Sequence, residues 1–332
     1  MSAIIAYDLS KKIDAGFMLS GISIEVKEAE TFAVIGKENS GKTMLLRILA
    51  GLSSPTAGEC TVMGFSPVYE PAKLHALVGV VVDSAKLYVD KTITENLNLF
   101  ADLNGVDKSD ANDRISFLLR KLNIWEERDD IIKNLPTGIV YRVSIARALI
   151  HSPKVMLLDE PTGGMNLETI GVFKELIPYL TNEEGMTVVM FTGNMDHAGE
   201  FCYNFAILDN GALVSKGDLE SLRQRVGLKY KVSISLKEDE ILDDDFEFVD
   251  GTWQKEIESE DEVSDIISDL VKENKTMYEV KIIKPTIKDV YDAYFNRPPV
   301  IIKGGEVDEQ STGAEITDSE EPVESSSEDE QE

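Results

Sequence analysis

An α/β domain built on a parallel sheet, then a small α+β domain and a disordered acidic tail: this is the fold class the sequence predicts, on three observations. Short, continuously apolar runs at 32–35, 155–158 and 187–191 are separated by amphipathic helical stretches, as in parallel strands buried on both faces. Past about residue 220 the pattern changes to a strand with one apolar face and a single amphipathic helix. The last residues, 304–332, hold 12 acidic side chains and no Lys or Arg. The expected divisions are 1–219, 220–302 and 303–332.

The first buried strand, 31–35, leads into Gly36-Lys37-Glu38-Asn39-Ser40-Gly41-Lys42-Thr43, which fits G-x-x-x-x-G-K-[ST], and then into a helical run over 44–50. In such a loop the backbone N–H groups and the helix N-terminus face phosphate oxygens, Lys42 reaches the β and γ phosphates, and the Thr43 hydroxyl ligates Mg²⁺. The expected nucleotide-binding set is Gly36, Asn39, Ser40, Gly41, Lys42, Thr43 and Met44. Asn39 is suited to the left-handed backbone that these loops often give to Gly. The fold expectation sharpens to a P-loop NTPase.

The strand at 155–160 reads V-M-L-L-D-E and ends in two carboxylates. Asp159 is then placed to hold the Mg²⁺ shell and Glu160, as the catalytic base, to polarise a water against the γ-phosphate. An apolar strand ending in Asp-Glu is common as a plain strand terminus, and the phosphate loop is what gives this one a function. A nucleoside triphosphate and Mg²⁺ are the expected ligands.

In the second domain, 229–236 alternates Tyr230, Val232, Ile234 and Leu236 with polar neighbours, which predicts a strand with one buried face. Val263, Ile266, Ile267, Leu270 and Val271 recur at helical spacing, 276–283 reads as another strand, and Pro285 can open a helix through Asp289 and Tyr294.

Composition narrows the function classes. With 42% hydrophobic residues over 332 positions, a wholly disordered chain is excluded. Two cysteines, Cys60 and Cys202, are too few for a disulfide framework or a Cys-rich metal site and point to a reducing compartment. His75, His151 and His197 have no ligand spacing. The longest apolar runs fall far short of the ~18 residues of a membrane span, and residues 1–7 lack the basic flank and apolar core of a signal peptide. A formal charge of -28, from 33 Lys and Arg against 61 Asp and Glu, argues against nucleic acid or anionic lipid as a direct partner. The tail reads as a solvated extension.

Residues 1 to about 220 resemble the nucleotide-binding subunit of an ABC transporter, an α/β P-loop domain with a helical subdomain, and the family's motifs fall in order. The stretch 36–43 resembles Walker A, 155–160 Walker B, and Thr92-Ile93-Thr94-Glu95-Asn96-Leu97 the "LTVxENL" segment. Residues 135–149 align without gaps on L-S-G-G-Q-x-x-R-x-x-I-A-R-A-L, and 284–291, K-P-T-I-K-D-V-Y, is similar to the "PSLEDVF" ending of the drug and antibiotic exporter branch. The resemblance implies two ATP-binding chains head to tail, each ATP lying between one chain's Walker motifs and the other's signature.

Against that pattern this chain departs at several positions. The signature has Pro136, Thr137 and Ile139 for Ser, Gly and Gln, with Gly138 kept. Asp83 stands at the Q-loop glutamine, Gly193 at the switch histidine and Asn166 at the D-loop aspartate. Ile13 or Phe17 falls near the adenine-stacking slot, and Leu87 and Tyr88 in the neighbourhood that meets the membrane subunit's coupling helix. The resemblance implies an ATP-hydrolysing subunit, a homo- or heterodimer, that drives export through a separate integral membrane permease, cytoplasmic and held at the inner face of the membrane by that permease. The altered motifs suggest a second reading, a nucleotide-gated regulatory subunit with impaired hydrolysis. A soluble ABC protein of translation or DNA repair fits less well, since those typically carry two cassettes in one chain.

Overall fold

The computed structural model describes residues 1–13, 16–82, 87–161, 166–237 and 240–296, with backbone alone at 17 and 296. Strands β1 (Ser2–Ile13) and β2 (Gly16–Lys27) pair antiparallel, and β3 (Thr31–Ile35) runs through the 36–41 loop into α1 (Lys42–Leu49). Next come β4 (Ala57–Val62), α2 (Pro71–His75) and β5 (Val78–Val81). Three helices follow: α3 (Ile93–Leu103), α4 (Lys108–Lys121) and α5 (Thr137–Leu149). The alternating pattern resumes with β6 (Val155–Asp159), α6 (Leu167–Asn182), β7 (Thr187–Thr192), α7 (Met195–Phe201), β8 (Asn204–Asp209), β9 (Ala212–Asp218) and α8 (Leu219–Arg225).

These strands form one sheet in the order β4-β1-β2-β9-β8-β3-β7-β6-β5. The run β5-β6-β7-β3-β8 is parallel, as its fully apolar strands predict, and β9 turns back antiparallel to β8. Alternate residues feed two cores. Phe32, Val34, Val155, Leu157, Val189 and Phe191 face α1, α2 and the β1-β2-β4 layer, while Ala33, Ile35, Met156, Leu158, Val188 and Met190 face the helices from α3 to α8. Side chains with a period of two thus bury both faces, and the polar strand ends at 36, 159–160 and 192–193 gather at one edge of the layer.

The first of these three helices is fixed by its cap. Thr92 Oγ1 accepts from the Glu95 N–H at 3.1 Å while the Glu95 carboxylate accepts from the Thr92 N–H at 2.8 Å, a capping box at the start of α3. Fully buried Asn96 accepts from the Tyr88 N–H and donates to the Tyr88 carbonyl, so the segment before α3 is clamped. Leu87 lies in the core cluster rather than on the surface, so of the two residues expected at a docking surface only Tyr88 is substantially exposed.

Beyond α8, β10 (Tyr230–Leu236), β11 (Glu247–Val249), β12 (Thr252–Ile257), α9 (Glu262–Lys272) and β13 (Met277–Ile283) build an antiparallel sheet in the order β11-β12-β10-β13 with a helix on it. Val232, Ile234, Ile257, Val263 and Leu270 form its own small core. The last helix, α10 (Ile287–Asn296), is opened by Thr286, whose hydroxyl and N–H both bond the Asp289 carboxylate. It does not cover the small sheet. Ile287, Val290 and Tyr291 pack into the main helical core beside α7 and α8, and residues Met1–Asn296 make one compact unit. The acidic stretch 303–332 lies outside the described residues.

Candidate nucleotide site

The loop after β3 is shaped for close approach. Asn39 has φ 62° and Gly41 φ 96°, both left-handed. A Cβ at Gly36 would overlap the Leu208 carbonyl oxygen and come 2.6 Å from Ser40 Oγ, so only glycine fits there. The Lys42 ammonium is buried and folded back over the loop, 2.7 Å from the Gly36 carbonyl and 2.9 Å from the Lys37 carbonyl. Ser40 Oγ is buried and bonds nothing among the described residues. Together with the helix N-terminus at Lys42, a loop with an idle buried hydroxyl, an ammonium and a glycine cradle fits a polyphosphate. The loop opens on a cavity of about 870 Å³ whose lining includes Met18, Lys37, Lys42, Thr43, Glu160 and Gly193.

Two carboxylates arrive from the end of β6. Asp159 Oδ1 accepts from Thr43 Oγ1 at 3.2 Å. Burial pushes the Asp159 carboxyl above the usual range and the neighbouring Glu160 charge adds to this, while Thr43, Lys42 and Arg47 pull it down. A hydroxyl and a carboxylate at this separation are a hard-oxygen pair of the kind Mg²⁺ takes. Glu160 has φ 41° and is held beside β7 by its N–H bond to the Phe191 carbonyl at 2.8 Å. Its carboxylate accepts from Thr192 Oγ1 at 2.9 Å and from the Gly193 N–H at 3.0 Å to each oxygen, and lies 3.5 Å from Lys42 Nζ. The carboxylate is 43% exposed, reachable by water yet held from three sides.

Two contributors were not found from sequence. Thr192 is a buried residue at the end of a strand, and its bond to Glu160 depends on the β6–β7 register that sets Asp159 opposite Phe191. Met18 lines the cavity from β2, whereas Ile13 is absent from the described lining and the side chain of Phe17 lies outside the described residues. Asp83 also lies outside them.

The residues expected at the signature sit elsewhere. Pro136 caps α5, and Pro136, Thr137 and Gly138 do not line the cavity among the described residues. Behind them, buried Arg142 bonds the Leu122 and Asn123 carbonyls and Glu168, which ties α5 to the end of α4 and the first turn of α6. Asn166 caps α6 by accepting from the Thr169 N–H at 2.9 Å, and a Cβ on Gly138 would come 3.0 Å from Thr169 Oγ1.

A glycine-lined phosphate loop between a central parallel strand and a helix, facing an Asp-Glu pair on the second strand over, defines a P-loop nucleotide-binding domain. Residues 19–163 match the family model described as ABC transporter. The chain is 31% identical over 202 residues to the ABC transporter ATP-binding protein NatA of Bacillus subtilis, spanning 60% of this chain and 82% of that protein. It is 35% identical over 208 residues to the methionine import ATP-binding protein MetN of Caulobacter vibrioides, spanning 61% of this chain and 63% of that one. A solved ATP-binding subunit of an ABC transporter superposes with a TM-score of 0.63 at 24% identity, over 68% of this chain and 94% of the other, a likeness of fold. The chain belongs to the family of ABC transporter ATP-binding proteins. No helix among the described residues is long and apolar enough to cross a membrane.

Proposed function

We propose that this chain binds MgATP at the 36–43 loop and hydrolyses it to drive export through a separate membrane permease, working as one half of a dimer of ATP-binding chains and held at the cytoplasmic face by the permease. The observation that carries the reading is the convergence of Lys42, Thr43 and Glu160 on one cavity, with Asp159 buried behind it and bonded to Thr43. Thr43 and Asp159 would hold Mg²⁺, which supplies charge neutralisation to the β and γ phosphates. Lys42, the loop N–H groups and Ser40 bind phosphate oxygens, and Glu160 takes the proton of the attacking water. Export rests on the likeness of the 284–291 segment to the exporter ending, while the methionine import relative speaks for the opposite direction.

One observation favours the second reading, a nucleotide-gated subunit with little turnover. Both Glu160 oxygens are engaged by donors in the chain, and residue 193 has no side chain to steady a γ-phosphate. The deciding experiment is ATP turnover by the purified chain, alone and with its permease, beside a Glu160→Gln control. Turnover absent from the control supports hydrolysis, and binding with no turnover above the control supports the regulatory subunit.

Two substitutions probe the donors around Glu160. Gly193 lies outside the left-handed region, and a Cβ there would meet the Gly36 carbonyl oxygen at 3.4 Å and Glu160 Oε1 at 3.8 Å, ordinary contact. Gly193→His is expected to raise basal turnover, by up to about 10²-fold for one added transition-state donor. No gain in a steady-state phosphate-release assay would assign the main deficit to the signature or to Asp83. On the hydrolysing reading Thr192→Val removes an orienting bond to a charged group worth about 1.5–3 kcal/mol, so turnover is expected to fall roughly 10- to 150-fold with KM little changed, whereas a rise would favour the second reading. Thr192→Ser should restore most of it, and a valine variant as fast as the parent would show that Thr192 has no such role.

A further inference from the structure

The helix after the small sheet reaches back to the phosphate loop. α10 lies against α7, closely enough that a Cβ on Gly199 would meet Ile287 Cγ2 at 3.1 Å, and α7 itself starts directly after the Gly193–Asn194 turn that bonds Glu160. Tyr294 pins the helix to β9 by a 2.8 Å bond from its hydroxyl to Ser215 Oγ. On the next face, the rings of Tyr291 and Phe295 pack together with centroids 4.6 Å apart, and both address Lys37. The Lys37 ammonium stands 5.8 Å from the centroid of Phe295, within cation–π range. The Tyr291 hydroxyl is buried beside the Lys37 backbone, without closing a hydrogen bond of good geometry among the described residues.

Lys37 is not a remote surface residue. Its carbonyl accepts from Lys42 Nζ, and its side chain lines the nucleotide cavity. A displacement of α10 therefore reaches Lys42 through one residue, and through α7 it reaches the turn that holds Glu160. We propose that Tyr291 and Phe295 are positioning residues for the phosphate loop, through which the segment beyond residue 220 sets the affinity of the nucleotide site. The inference rests on the reading of 36–43 as an ATP site. It gives α10 a role that packing alone does not require, because an aliphatic side chain at 295 would cover the same core without engaging a cation.

The coupling is reciprocal, since whatever α10 does to ATP affinity, ATP must do to α10. The test uses the full chain, with Phe295→Leu, Tyr291→Phe and Lys42→Ala variants, and measures MgATP affinity by calorimetry, hydrogen exchange across 287–296 with and without MgATP, and the melting midpoint without nucleotide. Expected are slower exchange across α10 on MgATP addition in the parent but not in Lys42→Ala, and MgATP binding weakened about 2- to 5-fold in Phe295→Leu, the size of an exposed cation–π contact, at an unmoved melting midpoint. Tyr291→Phe, which keeps the ring and removes one hydroxyl, serves if the leucine variant melts early. Exchange across α10 that ignores MgATP bound by the parent, or parental affinity in both aromatic variants, overturns the proposal. A parent that binds no MgATP overturns the nucleotide reading along with it, whereas binding lost only in Lys42→Ala leaves that reading standing.

Discussion

Lys42→Ala is expected to weaken MgATP binding by at least about 30-fold, the lower end of what removing one partner of a buried, hydrogen-bonded charge pair costs, about 2–5 kcal/mol or roughly 30- to 5,000-fold. Lys42 Nζ is already desolvated and tethered by the Gly36 and Lys37 carbonyls, so the chain carries the cost of burying this charge before nucleotide arrives. A phosphate oxygen then gains a preorganised cation. With alanine the loop keeps its N–H groups, its glycine geometry and Thr43, and for that reason weak binding can survive while tight binding cannot. The two carbonyls also lose their donor, so a lower melting midpoint is expected alongside. Calorimetric titration with MgATP checks the first effect and a thermal melt the second. Unchanged affinity in a folded variant would remove the phosphate-site assignment.

How far the sequence carried this picture depends on whether a feature is local. The loop at 36–43 is local: its glycines, its Lys-Thr pair and the flanking strand and helix all lie within residues 31–49. So are the buried strands, because an apolar run of four or five residues between polar stretches has few other places to go. Of the small sheet, β10, β13 and α9 were legible, β10 and α9 from period-two and period-3.6 patterns in 229–236 and 263–271, whereas β11 and β12 were not read as strands. What was not legible depends on contacts across long separations. Thr192 meets Glu160 only because β6 and β7 pair in one register, and a threonine at a strand end carries no mark of that. Leu87 and Tyr88 are adjacent and look alike on paper, yet the clamp by Asn96 sends the leucine into the core and leaves the tyrosine outside. The helix at 287–296 was readable as an amphipathic helix, but periodicity says that a face is buried and not which core receives it. Its partner proved to be the ATP-binding domain.

Glu160→Gln is the second large effect. In this variant MgATP binding is expected to persist, with turnover lowered by about 10²- to 10⁴-fold, the range over which a positioned general base contributes. The carboxylate makes its bonds by accepting, from the Thr192 hydroxyl and from the Gly193 N–H. A glutamine can present its amide oxygen to one of these donors but must turn its own NH₂ toward the other, or swing away toward solvent on its exposed side. The 3.5 Å attraction to Lys42 is lost as well, which frees the ammonium for phosphate. Affinity for MgATP should therefore hold or rise as turnover falls, the opposite of the Lys42→Ala pattern, in which affinity itself collapses. Single-turnover phosphate release and calorimetry on the same preparation separate the two. A glutamine variant that releases phosphate as fast as an active parent would deny Glu160 the proton-accepting role. A parent already as slow as the variant would mean that the donors clasping Glu160, with no side chain at 193 to assist, hold the carboxylate out of the reaction, and that this chain acts by binding ATP.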